Sequence, residues 1–405
     1  MLPVNLNDLT PSHIQNLIDS EVAEGLTLEY KQELPSNQSE KKKDFLYEVA
    51  AMANAGGGDI VFGIVDRPGA DNQSTGIADS LSGIKLLNEQ VEKDRLSNLI
   101  RDGIDPRLTG IAMRSVKCED GDVLVLRIPR SWNKPHMVTI DGVNRFYLRG
   151  GTTKFPMRVN EIRRAFSEQS ELGETIEKWR EHRAELASKG KGPVRLAGDV
   201  KWLFHVIPAS AFSRDVLRES WAVAEQEKRQ VYVPHDLRSY RYNADGFLCL
   251  ADTGAQFTAY GYTQLFRSGI VEYADGFCCN PPPTGGHPMI FGQELEKHMV
   301  NCYTDAINRF RIDGRREPLY VGFSLIGIEG RAFFVTTMQS AFPQTAGINR
   351  DIFTSPEVFV DIDEPEESPY GKTLLPLVDT MWQVGGRQGT PFRPNGEWKP
   401  FGRYD

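Results

Sequence analysis

The sequence predicts an α+β protein of two domains, and three observations lead to this prediction. The chain has 405 residues, more than one hydrophobic core ordinarily spans. Segments with the two-residue alternation of strands recur among segments of helical periodicity in both halves. Between the halves, residues 169–190 are charged and helical with few apolar positions, as in an exposed connector. We therefore expect one α+β domain at residues 1–168 and a second, with a mixed or antiparallel sheet, at residues 191–405.

The first domain is predicted to open with a short helix and a strand. Thr10 is a favoured N-cap residue, and Pro11 suits the first helical position. The stretch "LTLEYKQEL" alternates apolar with charged residues, which predicts a strand that exposes Glu29 and Lys31 on a wet face.

A helix over residues 40–54 and a buried strand should follow. The helix stops at Gly56, Gly57 and Gly58, and "DIVFGIVD" reads as one central strand with a carboxylate at each end. A phosphate-binding loop would need G-x-x-x-x-G-K-[ST] before a helix, whereas these glycines follow one. They therefore indicate a helix C-cap and packing turn, and an ATP-dependent sensor finds no support.

The rest of the chain alternates in the same way. A helix is predicted at "VEKDRLSNLIRDGI", hairpins around "CEDGD" and Asp141–Gly142, and a closing helix at "VNEIRRAF". In the second domain the predicted strands are "VKWLFHVIP", "QFTAYGYTQLF", "GIVEYADGF", "LYVGFSLIGI" and "RAFFVTT", and the predicted helices are "GQELEKHMVNCYTDAINRF" and "GKTLLPLVDTMWQV".

The amino-acid composition indicates which classes of protein are compatible with the sequence. Apolar residues make up 40% and charged residues 25%, the balance of a folded protein. No apolar run approaches the length of a membrane helix, and the N-terminus lacks a signal-peptide pattern, so we expect a cytoplasmic protein with no membrane partner. The five cysteines form no C-x-x-C pair, and small buried hydrophobes are a better interpretation than a zinc site that uses Cys278 and Cys279.

Three carboxylates and a lysine suggest chemistry. Glu24 precedes the first strand, Glu29 and Lys31 lie on it, and Asp66 ends the strand after the glycines. If the two strands are neighbours, the carboxylates converge, and such a cluster favours a hard cation, Mg²⁺ or Mn²⁺. A divalent ion can activate water and polarise a phosphoryl oxygen, which leads to phosphodiester hydrolysis. The alternative is that these are ordinary carboxylates at exposed strand ends.

A basic segment lies inside an acidic chain. The net charge is −8, yet residues 101–164 hold 13 Lys and Arg against 7 Asp and Glu. Aromatic residues that could stack on bases are interleaved with these cations. The cations chosen as nucleic-acid ligands are Arg127, Arg130, Lys134, Arg145, Arg149 and Lys154. Solvated strand faces would carry a similar pattern, and His136 could act as an acid or base or be structural.

Taken in order, several fragments resemble the Schlafen-type AlbA-like domain from about Leu9 to Phe166. They are "EGLTLEYK", "EVAAMANAGGGDIVFGIVD", "GIDPRL", "VLVLRIPRSWNKPHMV", "RFYLRGGTTKFPM" and "EIRRAF". In Schlafen nucleases, two glutamates five residues apart and a later aspartate form a metal-dependent ribonuclease centre that cuts structured RNA, notably tRNA. By this resemblance Glu24, Glu29 and Asp66 would be the metal ligands, and Lys31 would be the following lysine.

The resemblance also implies partners and leaves alternatives. Schlafen cores pair two lobes around a basic groove, and this chain has one copy, which implies a homodimer. Glu21 could replace Glu24 if the chain entry is shifted, and after the strand "VDRPG" offers only Asp66. Other members are described as DNA-binding regulators, so a non-catalytic regulator that binds DNA or RNA is the second hypothesis. A sensing or partner-binding role in antiviral (phage) defence is the expectation for the second domain.

Overall fold

The computed structural model describes residues 2–3, 6–69, 74–86, 88–119, 121–212, 231–236, 239–277, 289–313, 315, 317–334, 348–362, 371–393 and 398–399. The chain divides into two compact units, Met1–Glu171 and Leu172–Asp405. Both units combine helices with strands, so the predicted α+β class is confirmed.

The first unit contains a 3₁₀ turn, Leu6–Asp8, three helices and ten strands among its described residues. The helices are α1 (Pro11–Asp19), α2 (Ser39–Asn54) and α3 (Glu89–Gly103). The strands are β1 (Leu28–Lys31), β2 (Gly58–Phe62), β3 (Ile64–Pro68), β4 (Ser74–Leu81), β5 (Ile104–Asp105), β6 (Ala112–Cys118), β7 (Gly121–Ile128), β8 (Met137–Ile140), β9 (Val143–Gly150) and β10 (Thr153–Pro156).

A four-stranded sheet in the order β1-β2-β7-β6 forms the centre of this unit. Alternate side chains of β2 and β7 enter two separate cores, one with α2 and α3 and the other with α1. A strand buried on both faces needs apolar residues throughout, which explains the near-continuous apolar run of β2. A second sheet, β10-β9-β8-β5, contains the predicted hairpin at Asp141–Gly142.

The predicted single strand "DIVFGIVD" is wrong, because the chain breaks at Gly63. There φ is +101°, which glycine adopts without the strain of a Cβ atom, and an added Cβ would lie 3.0 Å from the carbonyl oxygen of Asp122. β2 stays in the central sheet, whereas β3 pairs with β4 in a separate hairpin. Asp59 and Asp66 therefore belong to different sheets.

The glycines after α2 form a helix stop, as predicted. The N–H of Gly57 donates to the carbonyl of Met52, and Gly57 has φ +74°. A Cβ at Gly57 would lie 2.6 Å from the carbonyl oxygen of Ile128, and one at Gly58 would lie 2.6 Å from that of Thr27. The glycines thus let α2 end directly against β7 and the start of β1.

The second unit is built on one large sheet. Helix α4 (Val159–Ser188) begins in the first unit, and α5 (Gly292–Ile312) and α6 (Gly371–Val384) lie in the second, as does the 3₁₀ turn Ala209–Phe212. The strands are β11 (Arg195–Leu196), β12 (Lys201–Pro208), β13 (Ser239–Asn243), β14 (Gly246–Asp252), β15 (Thr258–Phe266), β16 (Val271–Asp275), β17 (Met289–Phe291), β18 (Leu319–Ile326), β19 (Ala332–Phe334), β20 (Ile352–Thr354) and β21 (Val358–Val360).

The order of this mixed sheet is β13-β14-β15-β16-β12-β18-β20, with β11 beside β15 and β21 beside β18. Apolar side chains of β12 alternate between a core shared with α5 and α6 and a core shared with α4. In α4 the residues Ile176, Arg180, Ala184 and Ala187 are buried, so residues 172–188 belong to the packed unit rather than to an exposed connector. Cys118, Cys249 and Cys302 form no disulfide bond among the described residues, and Cys278 and Cys279 lie outside those residues.

Candidate carboxylate site

Three short segments of the first unit bring the predicted carboxylates together. β1 pairs in parallel with β2, and Glu29 lies opposite Ile60. The chain before β1 pairs with β4, because the N–H of Glu24 donates to the carbonyl of Gly76 at 2.7 Å. β3 pairs with the same β4, and Asp66 lies opposite Ala78. β4 thus pairs with both the segment of Glu24 and the segment of Asp66, and lies between them.

The carboxyl of Glu24 has a raised pKa. Its Oε1 accepts a hydrogen bond from the N–H of Tyr30 at 2.7 Å. Burial raises the pKa of Glu24, the Tyr30 N–H and the Lys31 ammonium oppose this, and the carboxylates of Glu29 and Asp66 raise it further. Glu24 therefore lies within electrostatic reach of both other predicted acids.

Glu29 lies inside the unit rather than on the predicted wet face of its strand, and its exposed fraction is only 5%. Its Oε1 lies 2.5 Å from Nζ of Lys31, and its Oε2 accepts a hydrogen bond from Nη2 of Arg149 at 2.6 Å. Both oxygens are therefore paired with cations. Lys31 keeps 36% of its side chain exposed and links Glu29 to the surface.

Arg149 lies at the centre of this arrangement and does not reach the surface. Its side chain has no exposed area and forms an ion pair with Glu48 of α2 in addition to the pair with Glu29. It also donates to the carbonyls of Gly25 and Leu28. A side chain buried in this way cannot contact a phosphate backbone, so the predicted role of Arg149 as a nucleic-acid ligand does not fit its position.

Asp66 is half-buried on β3, between two irregularities in its pairing with β4. Such bulges re-aim a side chain relative to a regular strand. Glu21, the alternative to Glu24, is exposed and binds Nη2 of Arg67 at 2.8 Å. The structure therefore favours Glu24 over Glu21 as the partner of Glu29 and Asp66.

The donor set suits a hard divalent cation in charge and in ligand type. Carboxylate oxygens are the ligands that Mg²⁺ prefers. Burial is the largest cause of the raised pKa of Glu24, the carboxylates of Glu29 and Asp66 add to it, and a bound cation would lower it. In their present conformations, no group of three or more His, Cys, Asp or Glu side chains among the described residues is placed to hold a metal ion. Glu29 would have to exchange the ammonium of Lys31 for the ion.

The predicted basic ligands divide into two groups. Arg127 binds Asp59 through Nε at 2.7 Å and Nη2 at 2.9 Å, and Lys134 lies 2.7 Å from Glu168. Lys154 lies 2.8 Å from both Asp44 and Glu48. Together with Arg149, these side chains are engaged by carboxylates of the same unit.

Arg130 and Arg145 are the two exposed members of the predicted basic set. The guanidinium of Arg130 lies 4.4 Å from the ring centroid of Trp132, a cation–π contact that leaves both groups at the surface. An arginine over a tryptophan ring is a surface on which an unpaired base could stack.

His136 is structural, although sequence alone allowed a role as acid or base. It is 1% exposed, and its ring nitrogens lie 2.6 Å from the Pro106 carbonyl oxygen and 2.5 Å from Oγ of Ser131. Burial lowers the pKa of His136 to about 4, so the ring is neutral at physiological pH. Its backbone N–H and carbonyl both bind the side chain of Asn54, which ties this loop to the end of α2.

Sequence reasoning missed Glu48, which connects the site to α2. It is 3% exposed and pairs with Arg149 and Lys154. One feature of the sequence could have identified Glu48, namely its position in the middle of an otherwise apolar helical face. A buried carboxylate at such a place requires a cationic partner.

None of the helices in the described part of the chain is long and apolar enough to cross a membrane.

A search of the curated proteins finds no significant match. Among solved structures, the DIP2311 protein from Corynebacterium diphtheriae is 20% identical with a TM-score of 0.24, and the match covers 36% of this chain and 26% of that one. The N-terminal domain of a protein related to the ATP-dependent DNA helicase RecG from Nitrosomonas europaea is 14% identical with a TM-score of 0.26, and the match covers 33% of this chain and 84% of that domain.

The family comparison identifies the first unit. The model of the family described as Schlafen, AlbA_2 matches residues 24–158, a range that begins at Glu24 and includes Glu29, Lys31 and Asp66. The resemblance noted in the sequence is confirmed over this range. Residues 24–158 of the chain are therefore similar to the Schlafen, AlbA_2 family.

Proposed function

We propose that the first unit binds structured RNA, with tRNA as the favoured substrate, and cleaves it as a metal-dependent endoribonuclease. The observation that supports this most directly is the pKa of Glu24, which burial raises and the carboxylates of Glu29 and Asp66 raise further. A fold gains nothing in stability from crowding like charges in this way, so such a cluster is more typical of a site of chemistry.

Each residue has a distinct role in this proposal. Glu24, Glu29 and Asp66 would hold Mg²⁺ or Mn²⁺, and a bound divalent ion supplies an activated water and a polarised phosphoryl oxygen. Lys31, partly exposed beside Glu29, would bind a phosphate oxygen of the RNA. Arg130 and Arg145 would hold the RNA backbone, and Trp132 would stack on an unpaired base.

A cleavage assay with a matched pair of variants tests the proposal. Asp66→Asn removes one charge without changing the shape of the side chain, and we expect tRNA cleavage in Mn²⁺ or Mg²⁺ to slow by about 100-fold or more. Asp79→Asn is the control, because Asp79 lies on the partner strand β4 and binds exposed Arg67 instead. Glu29→Ala is less informative, since it leaves Arg149 buried without its partner. Equal cleavage by Asp66→Asn and the parent protein would rule out this centre.

A second candidate is a non-catalytic nucleic-acid-binding regulator. The observation in its favour is that both oxygens of Glu29 are already paired with Lys31 and Arg149, which is what a structural carboxylate requires. This candidate predicts salt-sensitive binding of DNA or RNA that persists in EDTA without cleavage products. Metal-dependent cut fragments that disappear in Asp66→Asn would eliminate it.

We also propose that the active form is a homodimer, because the chain holds a single copy of a lobe that Schlafen cores use in pairs. Sedimentation of the full chain, with and without tRNA, distinguishes one copy from two. A protein that stays monomeric while it cleaves tRNA would contradict this part of the proposal.

A further inference from the structure

The second unit contains a group of polar and aromatic side chains that no comparison assigns. Its centre is Asp275 at the end of β16, whose side chain has no exposed area. His235 reaches Asp275 from residues 231–236, and His298 reaches it from α5. The rings of Tyr260 and Phe277 lie beside His235.

The segment that carries His235 contacts helix α5 at one point and the sheet at two. The N–H of Tyr232 donates to Oδ1 of Asp305 at 3.3 Å, and its carbonyl accepts from Oγ1 of Thr263 at 2.7 Å. A Cβ at Gly261 would lie 2.8 Å from the carbonyl oxygen of Pro234, so the glycine allows this close approach. The position of His235 is thus determined by its surroundings.

The backbone at this point is strained. His235 and Asp236 have φ values of +67° and +65°, in the left-handed region that residues other than glycine seldom adopt. Consecutive residues of this kind persist only where the surrounding structure imposes them, and they cluster at functional sites.

The hydrogen bonds set the charge of His235. Its Nε2 lies 3.0 Å from Oδ1 and 2.9 Å from Oδ2 of Asp275, and Oδ1 also accepts from the N–H of Phe277 at 2.6 Å. Burial opposes the charged ring, but the hydrogen bond to Asp275 and the charges of Asp275 and Asp236 raise the pKa of His235. This shift favours the protonated ring, in which Nε2–H donates to Asp275 and Nδ1–H is left for another acceptor.

The pKa of His298 is shifted in the opposite direction to that of His235. Burial lowers its pKa, and its Nδ1 lies 2.7 Å from the hydroxyl of Tyr232. Its Nε2 is 3.8 Å from Oδ2 of Asp275, so it supports the carboxylate without competing for the proton of His235. The pKa values of the two histidines beside this carboxylate are therefore shifted in opposite directions.

Aromatic rings form the wall next to the charged imidazole. The ring centroids of His235 and Phe277 are 5.3 Å apart, and those of Tyr260 and Phe277 are 5.0 Å apart. Phe277 is 49% exposed. An exposed ring beside a hydrogen-bond donor matches a flat ligand that stacks and accepts.

We propose that this site binds a nucleobase, stacked on Phe277 and Tyr260 and hydrogen-bonded through a ring acceptor to Nδ1–H of His235. The charges exclude a phosphate as the main recognition element, because the carboxylates of Asp275 and Asp236 outweigh the single imidazolium. The ligand is therefore a base, either in a free nucleoside or in an unpaired strand. This proposal is independent of cleavage by the first unit.

Calorimetric titration of the full chain with adenosine, adenosine 5′-monophosphate and a short unpaired oligoadenylate tests the site. We expect the nucleoside to bind at least as tightly as the nucleotide. Phe277→Leu should weaken binding by about tenfold, because it removes a stacking ring and keeps apolar volume. Phe359→Leu is the matched control, since Phe359 is 44% exposed on β21 and its ring contacts Tyr320 rather than His235.

Dependence on pH supplies a second readout. Affinity should fall as the pH rises through the pKa of His235, because Nδ1 then loses its proton, and His235→Gln should give a flat profile. The titratable or charged groups that surround His235 among the described residues are Asp275 of β16, His298 of α5, Tyr260 of β15, and Tyr232 and Asp236 of its own segment.

The results of these titrations distinguish a free nucleoside from an unpaired strand as the source of the base, and some results would contradict the proposal. Binding of adenosine identifies a free ligand, whereas binding of the oligonucleotide alone, lost in Phe277→Leu, identifies an unpaired strand. Failure of all three probes to bind, equal weakening by Phe359→Leu, or much tighter binding of the nucleotide than of the nucleoside would overturn the proposal.

Discussion

At the scale of single residues, two glutamates five positions apart illustrate how environment decides the role of a carboxylate. Glu29 is fully surrounded and has a cation on each oxygen. Glu24 is half-buried, accepts one backbone hydrogen bond, and lies near two other carboxylates, which together with burial raise its pKa. Glu29 can therefore hold its charge at low cost, whereas the charge on Glu24 is unfavourable in the folded state.

This difference predicts that Glu24→Gln stabilises the first unit at neutral pH. The folded pKa of Glu24 lies above its ordinary value of 4.5, so the folded state binds more protons than the unfolded state between the two values. The free energy of unfolding of the wild-type protein therefore falls as the pH rises through that window. Glutamine has no charge and avoids this loss of stability, and its side-chain oxygen can still accept the hydrogen bond from the N–H of Tyr30. Hydrogen exchange at pH 7 and below pH 4.5 checks this. A variant less stable than the parent at pH 7 would contradict it.

Sequence reasoning selected the candidate residues but could not predict their surroundings. Alternation along "LTLEYKQEL" correctly predicts a strand at Glu29, yet it assigns that side chain to solvent because charged residues usually face water. The burial of Glu29 depends on Arg149, which is 120 positions away in the chain. No local pattern reports such a pairing, and the same limit explains why Arg149 was assigned to the nucleic-acid surface.

At the scale of elements, Arg149 joins a strand and a helix that share no long apolar contact. From β9 it binds Glu29 and the carbonyl of Leu28 in β1, the carbonyl of Gly25 just before β1, and Glu48 in α2. Lys154 of β10 reinforces the link through Glu48. The orientation of β1, and hence of Glu29, thus depends on a buried network of charges.

We predict that Arg149→Met lowers the free energy of unfolding of the first unit by about 3–5 kcal/mol, because it removes the buried cation that Glu29 and Glu48 share and leaves each carboxylate with only its lysine. The control Arg67→Met removes an exposed arginine with similar partners and should cost at most about 1 kcal/mol. Peptide-resolved hydrogen exchange is the suitable measurement, since two units need not unfold together. A small effect of Arg149→Met would show that packing, not charge, holds β1 against α2.

The pattern of elements was largely predictable and their ends were not. Helical periodicity identified α2, α5 and α6, and the turn residues Asp141–Gly142 identified the hairpin of β8 and β9. "DIVFGIVD" was misjudged because a glycine within an apolar run looks the same in sequence whether it continues a strand or turns it. The approach of Asp122 that requires Gly63 comes from a strand 60 residues away.

At the scale of the whole molecule, the charge of the first unit is more balanced than its sequence suggests. Four of the six predicted nucleic-acid ligands, Arg127, Lys134, Arg149 and Lys154, are paired with carboxylates. Within that set, only the exposed arginines Arg130 and Arg145 can contact a phosphate without first breaking an ion pair between described residues. A basic segment is therefore an unreliable guide to a basic surface, since neutralising partners come from other parts of the chain.

The expected consequence is a shallow dependence of nucleic-acid binding on salt. Arg130→Gln and Arg145→Gln should each reduce the slope of log Kobs against log salt concentration by about 1, because each removes one phosphate contact. Arg127→Gln is the control and should leave the slope unchanged, as Arg127 is held by Asp59. Filter binding of tRNA across a salt series measures the slopes, and an equal change in all three variants would refute this assignment.

The turn at Gly63 also bears on how the domain can vary. Residues before it belong to a strand buried on both sides, where any change of volume disturbs two cores. Residues after it belong to a two-stranded hairpin with one predominantly polar edge, where substitutions are tolerated more easily. One glycine thus separates the part of the chain that must be kept for folding from the part that presents Asp66. A related chain could have a different hairpin in place of β3 and β4, without a residue equivalent to Asp66, and still retain the same central sheet.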